Sequence, residues 1–379
     1  MSKANERKRD WAPRMWLGSN FQAMSRLLIR NRFAVGPRYW YIAVIDLVVS
    51  MYHTLMAQRQ AALLGEKLAR VRVELDPIFI VGHWRSGTTF LHELLIRDQQ
   101  FGYPTTFQCF EPNHFLLSEA SYKRLFWFLA PSQRPMDRMP VGWDRPQEDE
   151  FALCLLGMPS YYARIAFPQR PDPYPGALDL ESLSPRQRRL WQRTFYEFLR
   201  QVTYRCRRRL VLKSPPHSCR IPLLLQMFPR ARFIHILRDP YVIYPSTMHL
   251  WQSLARKHCL QAPRFRNLSE DVLTTFLHLH RKLAEGKRLL APQQYAEVRY
   301  EELVADPLGQ LQRLYRQLNL GDFEQARPAF QQYLNEMAGY ETNRYQLTAA
   351  EVELITQRWG EEIVRQGYPL RTLPTAAGT

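Results

Sequence analysis

The residues with the plainest chemical purpose lie in "VGHWRSGTTFL", residues 81–91. Gly82 and Gly87 have the spacing of G-x-x-x-x-G-K-[ST], a loop that cradles phosphate with successive backbone N–H groups. Thr88 stands where the lysine of that pattern belongs, and Arg85 sits inside the loop instead. Ser86, Thr88 and Thr89 offer hydroxyl donors, and the Arg85 guanidinium can grip two anionic oxygens at once. Without the lysine, cleavage of a triphosphate is disfavoured, whereas binding of a phosphate group is not. A second basic site follows the apolar run "RFIHIL" in "RFIHILRDP", residues 232–240. Asp239 there has the position of a metal-holding aspartate, but Arg238 precedes it and Pro240 follows. An arginine in that place points to a second phosphate group rather than a magnesium ion. Ser246 lies about two helical turns further on and can fold back toward the same oxygens.

Such groups need rigid elements to hold them. "DPIFIVG" reads as a buried strand and "TTFLHELLIRD" as a helix, so the first loop has the strand–loop–helix setting that phosphate binding requires. "RLVLKSPPH" (209–217) and "RFIHILRDP" (232–240) read as further strands and "YAEVRYEELVADP" (295–307) as a strand running into a turn, each separated from the next by helical spacing. Strands alternating with helices predict an α/β fold with a parallel sheet flanked by helices. The aromatic and proline-rich segment 99–182 predicts short helices and loops that cover a site. The expected organisation is a basic helical extension over 1–70, a main domain over 71–370 and a flexible tail over 371–379.

Composition sets the partners. The 379 residues carry 52 Lys+Arg against 35 Asp+Glu, a formal charge of +17, which favours anionic ligands or surfaces. Residues 1–38 hold nine Lys/Arg against Glu6 and Asp10, and residues 184–209 hold nine Arg against Glu197. Five cysteines show no C-x-x-C pairing, which argues against a disulfide framework or zinc site and for free thiols in a reducing, cytoplasmic compartment. "YWYIAVIDLVVSMYH" (39–53) is too short for a membrane span and contains Asp46. Its residues Tyr41, Ile45, Val48, Tyr52 and Leu55 share one helical face, which is expected to pack on the chain's own domain. With the basic block before it, contact with an inner membrane surface is the second expectation.

The two phosphate motifs together resemble the sulfotransferases that use 3′-phosphoadenosine 5′-phosphosulfate (PAPS), a co-substrate with two separate phosphates. "LKSPPH", "RPQEDEFAL" and "NRYQLT" are similar to the bacterial-type branch with an N-terminal helical extension. The resemblance implies a P-loop-like fold, no metal, and transfer of a sulfuryl group to a hydroxyl, less often an amine. It implies that Arg85, Ser86, Gly87, Thr88 and Thr89 hold the 5′-phosphosulfate, and Arg238 with Ser246 the 3′-phosphate. It further implies that Lys213 reaches the bridging oxygen with help from Arg85, that Tyr300 lies near adenine, and that Arg344 closes over the phosphates.

For the base, Glu111 in "FQCFEPNHF" stands slightly ahead of His217, whose unperturbed pKa suits the task. Glu148, Asp149 and Glu150 form an acidic knot; Glu148 and Glu150 are candidates for acceptor binding, with helix capping or arginine pairing as the plainer roles. The aromatic segment suggests an apolar pocket, hence a small aromatic or lipid-like acceptor. Two other functions remain open on the residues alone. One is a nucleotide kinase with a degenerate loop. The other is a non-catalytic protein that binds anionic membrane or nucleic acid, although no RNA-binding module is present and nucleic acid is not an expected partner.

Overall fold

The computed structural model describes residues 14–73, 76–125, 142–265, 267–337 and 345–371. In chain order the extension gives α1 (Phe21–Arg30) and α2 (Trp40–Ala69). The main domain then runs β1 (Ile78–Val81), α3 (Thr88–Leu95), β2 (Phe101–Gly102), α4 (Thr106–Phe110), α5 (Phe115–Leu125), α6 (Asp149–Leu155) and α7 (Pro185–Cys206). It continues with β3 (Arg209–Lys213), α8 (Ile221–Met227), β4 (Arg232–Leu237), α9 (Pro240–His258), α10 (Leu268–Lys287) and β5 (Tyr295–Arg299). It ends with α11 (Tyr300–Ala305), α12 (Pro307–Leu318), α13 (Phe323–Glu336) and α14 (Ala349–Arg365).

The five strands form one parallel sheet in the order β2-β3-β1-β4-β5. Ile78 pairs with Val211 on one side and with Arg232 on the other, so β1 is central. The chain goes to one side of β1 with β3 and to the other with β4. Such a reversal opens a crevice at the carboxyl ends of the strands, the usual ligand position in open α/β sheets.

The strand β1 reads "IFIV" because both of its faces are covered: all four side chains are 0% exposed. Alternate residues enter two cores. Phe79 and Val81 join Leu210, Leu212 and Phe233 under Trp191, Phe195 and Phe198 of α7, while Ile78 and Ile80 join Val211, Ile234 and Ile236 under Leu91, Leu94 and Leu311. Burial of each such side chain contributes about 1.5–3 kcal/mol. The expected strand 209–217 stops at Lys213, because Pro215 and Pro216 start a 3-10 turn over Pro215–Cys219. The strand expected at the start of 295–307 ends at Arg299, and in place of the expected turn the segment becomes helical at Tyr300. The edge strand β2 has only two residues and no alternation that a sequence could announce.

The extension departs from its first expectation. The face of α2 that carries Tyr41, Ile45, Val48, Tyr52 and Leu55 points outward, each of these residues being at least half exposed. Its opposite face, turned toward the domain, buries Asp46, Ser50, His53 and Gln60. The periodicity predicts the helix correctly but not its orientation, because the polar residues find partners in the domain. Gln60 donates to Gln201 at 2.9 Å and accepts from the Leu116 amide at 3.0 Å, and His53 pairs with His114 at 2.7 Å.

Candidate active site

The loop between β1 and α3 turns sharply at two glycines. Gly82 has φ +148° and Gly87 φ +98°, both positive. A Cβ on Gly82 would stand 2.6 Å from the Ile236 carbonyl oxygen, and one on Gly87 would enter the Tyr300 ring. Ser218 clamps the start of the loop, accepting from the Gly82 amide at 2.8 Å. Ser86 is buried and donates to the His83 carbonyl at 2.8 Å, which ties the turn to itself. Burial lowers the pKa of His83 to about 4, so its imidazole is neutral at pH 7. Thr88 is the first residue of α3 and Thr89 the second. The N-cap is Gly87, which has no side chain to bond the first amides, so these and the positive helix end are available to an anion.

Arg85 adopts a left-handed φ of +70° and donates from Nε to Ser246 Oγ at 2.9 Å. Arg238, at the end of β4, donates to the Arg85 carbonyl at 3.0 Å and lies 4.1 Å over the Tyr300 ring. Burial, with Arg85 close by, lowers the Arg238 pKa, although Tyr300 and Glu301 oppose this. Arg85, Arg238, Ser246 and Tyr300 are therefore one cluster, built from the first loop, β4, α9 and the start of α11. Asp239 is engaged elsewhere: it caps α9 through the Tyr241 amide at 2.9 Å and pairs with Arg371 at 2.6 Å. Arg344, and residues 372–379 of the expected tail, lie outside the described residues.

The acidic knot resolves into three separate roles. Glu148 is the N-cap residue of α6 but makes no side-chain capping bond. It accepts instead from Lys213 Nζ at 2.6 Å and from the Tyr162 hydroxyl. Tyr162 accepts in turn from Trp84 Nε1 at 2.8 Å, so Glu148 is fastened to the phosphate loop through one intermediary. Asp149 meets His217 Nε2 at 2.6 Å and accepts from Ser214 at 3.1 Å. Burial opposes ionisation of Asp149, but the charge and hydrogen bond of His217, aided by the backbone and Ser214, outweigh it and lower the pKa. Glu150, expected at the acceptor, is fully buried and accepts two bonds from Arg220 at 2.5 and 3.1 Å and one from Ser160 at 2.7 Å. Of the three, only Glu148 retains surface, at 14% of its side chain.

The two residues expected as base stand in different surroundings. His217 is 0% exposed, with its ring against Phe79 and Phe195 and its Nε2 engaged by Asp149. Glu111 ends α4, and its Oε2 lies 3.3 Å from His53 Nδ1 and 3.9 Å from His114 Nε2. Burial raises its pKa to about 8. Two histidines and a carboxylate are donors that suit a transition metal. Yet His53 Nδ1 and His114 Nε2 stand 2.7 Å apart, a hydrogen-bond distance. Two nitrogens at tetrahedral angles on one zinc ion would be about 3.3 Å apart. As placed, the pair is a hydrogen bond beneath α2. Tyr162, Trp84 and Ser218 were not among the expected site residues. An aromatic or serine carries no spacing signal of its own, and each acts here through a partner distant in sequence.

Comparison with known proteins bears on this geometry. Residues 77–325 match the model of a family described as "Sulfotransferase family". The chain is 48% identical over 380 residues to omega-hydroxy-beta-dihydromenaquinone-9 sulfotransferase Stf3 of Mycobacterium bovis, covering 98% of this chain and 97% of that protein. The crystal structure of sulfotransferase STF9 from Mycobacterium avium has a TM-score of 0.64 at 18% identity, covering 94% of this chain and 98% of the other. That of sulfotransferase STF1 from Mycobacterium tuberculosis has a TM-score of 0.60 at 20% identity, covering 90% and 91%. At those identities the two structures show a shared fold.

Proposed function

This chain belongs to the sulfotransferase family, and on that premise we propose that it moves the sulfuryl group of PAPS to the hydroxyl of a long lipid-like alcohol. The mycobacterial relative is named for an omega-hydroxylated dihydromenaquinone. The acceptor proposed here is of that class, an isoprenoid quinone bearing a terminal hydroxyl.

The observation that carries the reading is the Lys213–Glu148 pair at the end of β3, joined to the phosphate loop through Tyr162 and Trp84. In-line transfer asks for a base at the acceptor, donors to the passing sulfuryl oxygens and a cation at the departing oxygen. Glu148 takes the acceptor proton as the acceptor oxygen bonds to sulfur. The bond from sulfur to the bridging oxygen breaks, and Lys213 stabilises the charge left there. Adenosine 3′,5′-bisphosphate leaves. The loop amides and Thr88 and Thr89 hold the 5′ end, while Arg238 and Ser246 take the 3′-phosphate. Tyr300 lies beneath Arg238 and against Gly87, a place suited to orienting the arginine. Glu148 takes the base's role in this reading in place of Glu111 and His217, since of the three it is the one that bonds Lys213 and, through Tyr162 and Trp84, the phosphate loop. The reading uses no metal. The five unpaired cysteines support a reducing, cytoplasmic compartment.

Adenosine 3′,5′-bisphosphate is expected to raise the melting temperature without magnesium, and ATP to do so much less. Incubation with PAPS and an omega-hydroxylated isoprenoid quinone is expected to add one sulfuryl group, read by mass spectrometry. Equal stabilisation by both nucleotides, or a strict requirement for magnesium, would overturn the PAPS reading. Absence of product with a lipid alcohol but turnover of a soluble phenol would overturn the acceptor.

A further inference from the structure

The helix α2 has its polarity reversed for a protein in water. Over residues 39–58 its only charged residue is Asp46, and Asp46 is 2% exposed on the side facing the domain. Burial raises its carboxyl pKa to about 7, Arg14 opposing. The opposite side offers Tyr41, Val44, Ile45, Val48, Met51 and Leu55, each 50–64% exposed. Each of these positions has another three or four residues away, so they form one continuous stripe about three helical turns long or more. Monomeric soluble proteins rarely expose contiguous apolar area on this scale without a partner for it. The neighbouring α1 and its loop add Ile29 at 60% and Phe33 at 52%.

The charges beside the stripe identify the partner. Within residues 14–70 there are eight Lys/Arg against Asp46 and Glu66. Arg30, Arg32 and Arg38 are exposed before the stripe, and Arg59, Lys67 and Arg70 after it. An apolar face bracketed by cations is complementary to an anionic bilayer, where the aliphatic side chains enter the acyl boundary and the cations meet phosphate headgroups. The 33-residue helical stretch Pro37–Ala69 is long and apolar enough to cross a membrane by length and composition. It cannot do so while its other face keeps Ser50, His53 and Gln60 against the domain, which leaves it lying in the plane of the interface.

We infer that α2 docks the enzyme on the surface of an anionic membrane and turns the Glu111 side of the site toward the lipid. Aromatic contacts continue inward from the stripe. Tyr52, 52% exposed, has its ring 5.7 Å from that of His114, beside Glu111. Phe110, the residue before Glu111, lies 5.2 Å from Phe151, and Phe151 lies 4.6 Å from Tyr162, whose hydroxyl binds Glu148. From Tyr52, the His114 ring and then, beyond Glu111, the rings of Phe110, Phe151 and Tyr162 lead toward Glu148. This route rests on the lipid acceptor proposed above; the docking itself rests on α2 alone.

The test is co-sedimentation of the full chain with vesicles of equal parts phosphatidylglycerol and phosphatidylcholine, and with phosphatidylcholine alone. The wild type is expected to partition onto the anionic vesicles, less onto the neutral ones, and less again at high salt. The double variant Ile45→Glu, Val48→Glu is expected to lose roughly tenfold or more, since two inserted aliphatic side chains become carboxylates facing an anionic surface. Stabilisation by adenosine 3′,5′-bisphosphate, unchanged in the variant, shows that it folds. With a vesicle-borne acceptor the variant is expected to turn over more slowly, and with a detergent-dispersed acceptor at the wild-type rate. No partitioning by the wild type, or equal partitioning by both proteins, overturns the proposal. So does a wild-type dimer that the variant converts to monomer with no vesicle binding by either, because the stripe would then cover a second copy. If vesicle binding is seen but no lipid alcohol is sulfated, docking stands and the acceptor assignment falls.

Discussion

The segments "IFIV" in β1 and "YIAVIDLVV" in α2 are similarly apolar, yet one is sealed and the other faces outward. Every side chain of β1 is 0% exposed between two cores, while Ile45 and Val48 of α2 are 50% and 60% exposed. The difference lies in what else each element carries. The strand has no polar side chain, so both faces can be covered. The helix carries Asp46, Ser50, His53 and Gln60 on one face, and of these His53 and Gln60 find hydrogen-bonding partners in the domain. Burying the other face instead would strand those groups or leave their partners unpaired, at about 1–3 kcal/mol for each unsatisfied group. Apolar character thus sets that an element seeks cover, and polar pairing decides which face receives it.

The same contrast holds between a committed polar group and an accessible one at the site, and the largest expected effects test it. Replacing Glu148 by Gln is expected to slow single turnover by about 10²–10⁴ with a high-pKa alcohol, the range for loss of a general base. With an acidic phenol, which needs less help to lose its proton, the loss should be far smaller. Lys213→Ala should slow both acceptors alike, since the leaving oxygen is the same in each. Single-turnover rates with both acceptors, on variants shown to bind adenosine 3′,5′-bisphosphate, separate these roles. An acceptor-selective loss for Glu111→Gln or His217→Gln, with none for Glu148→Gln, would return the base to that residue.

A smaller effect is expected at the nucleotide. Arg238→Ala should weaken adenosine 3′,5′-bisphosphate by about 1.5–3 kcal/mol, the value of a hydrogen bond to a charged group. Calorimetry with adenosine 5′-phosphosulfate, which lacks the 3′-phosphate, should show little change. Equal losses for both ligands would mean that Arg238 serves mainly to hold the loop through the Arg85 carbonyl.

Beneath α2, pH becomes a probe. Burial raises the Glu111 pKa to about 8, above its unfolded value, so the fold favours the protonated carboxyl. Stability linked to Glu111 is therefore fully present below its unfolded pKa and falls as pH rises toward about 8. Burial lowers His53 to about 4, so its contribution changes on the acid side instead, being lost as pH falls from 6.5 toward that value. Glu111→Gln, which cannot ionise, should gain on the wild type by a melting-temperature gap that widens from pH 5 to pH 8, measured by calorimetry. A gap independent of pH would refute the assignment of a protonated carboxyl.

The smallest effect is expected where the sequence looks most apolar. Val48→Ser should change unfolding free energy by no more than about 0.5 kcal/mol, as at an ordinary surface position. Phe79→Ala in β1 should cost about 3–5 kcal/mol. Denaturant titration of the two variants compares the segments directly, and a large loss for Val48→Ser would mean that the stripe is covered in solution.

Much of this molecule was legible as a string of residues, because the governing physics is local. The strand–loop–helix around Gly82 and Gly87, the arginine at the end of β4, Ser246 two turns into α9, and the alternation behind a parallel sheet all depend on neighbours in sequence. The helical period of α2 is local too. Which way that helix faces is not, since it depends on Gln201, His114 and the Leu116 amide, all far along the chain. Nor could sequence divide "EDE" into its parts. Consecutive side chains at the start of a helix leave about 100° apart, so three identical charges are sent to three different neighbourhoods. Only the packed structure brings Lys213 to Glu148, His217 to Asp149 and Arg220 to Glu150, leaving one carboxylate of the three with surface to meet an acceptor.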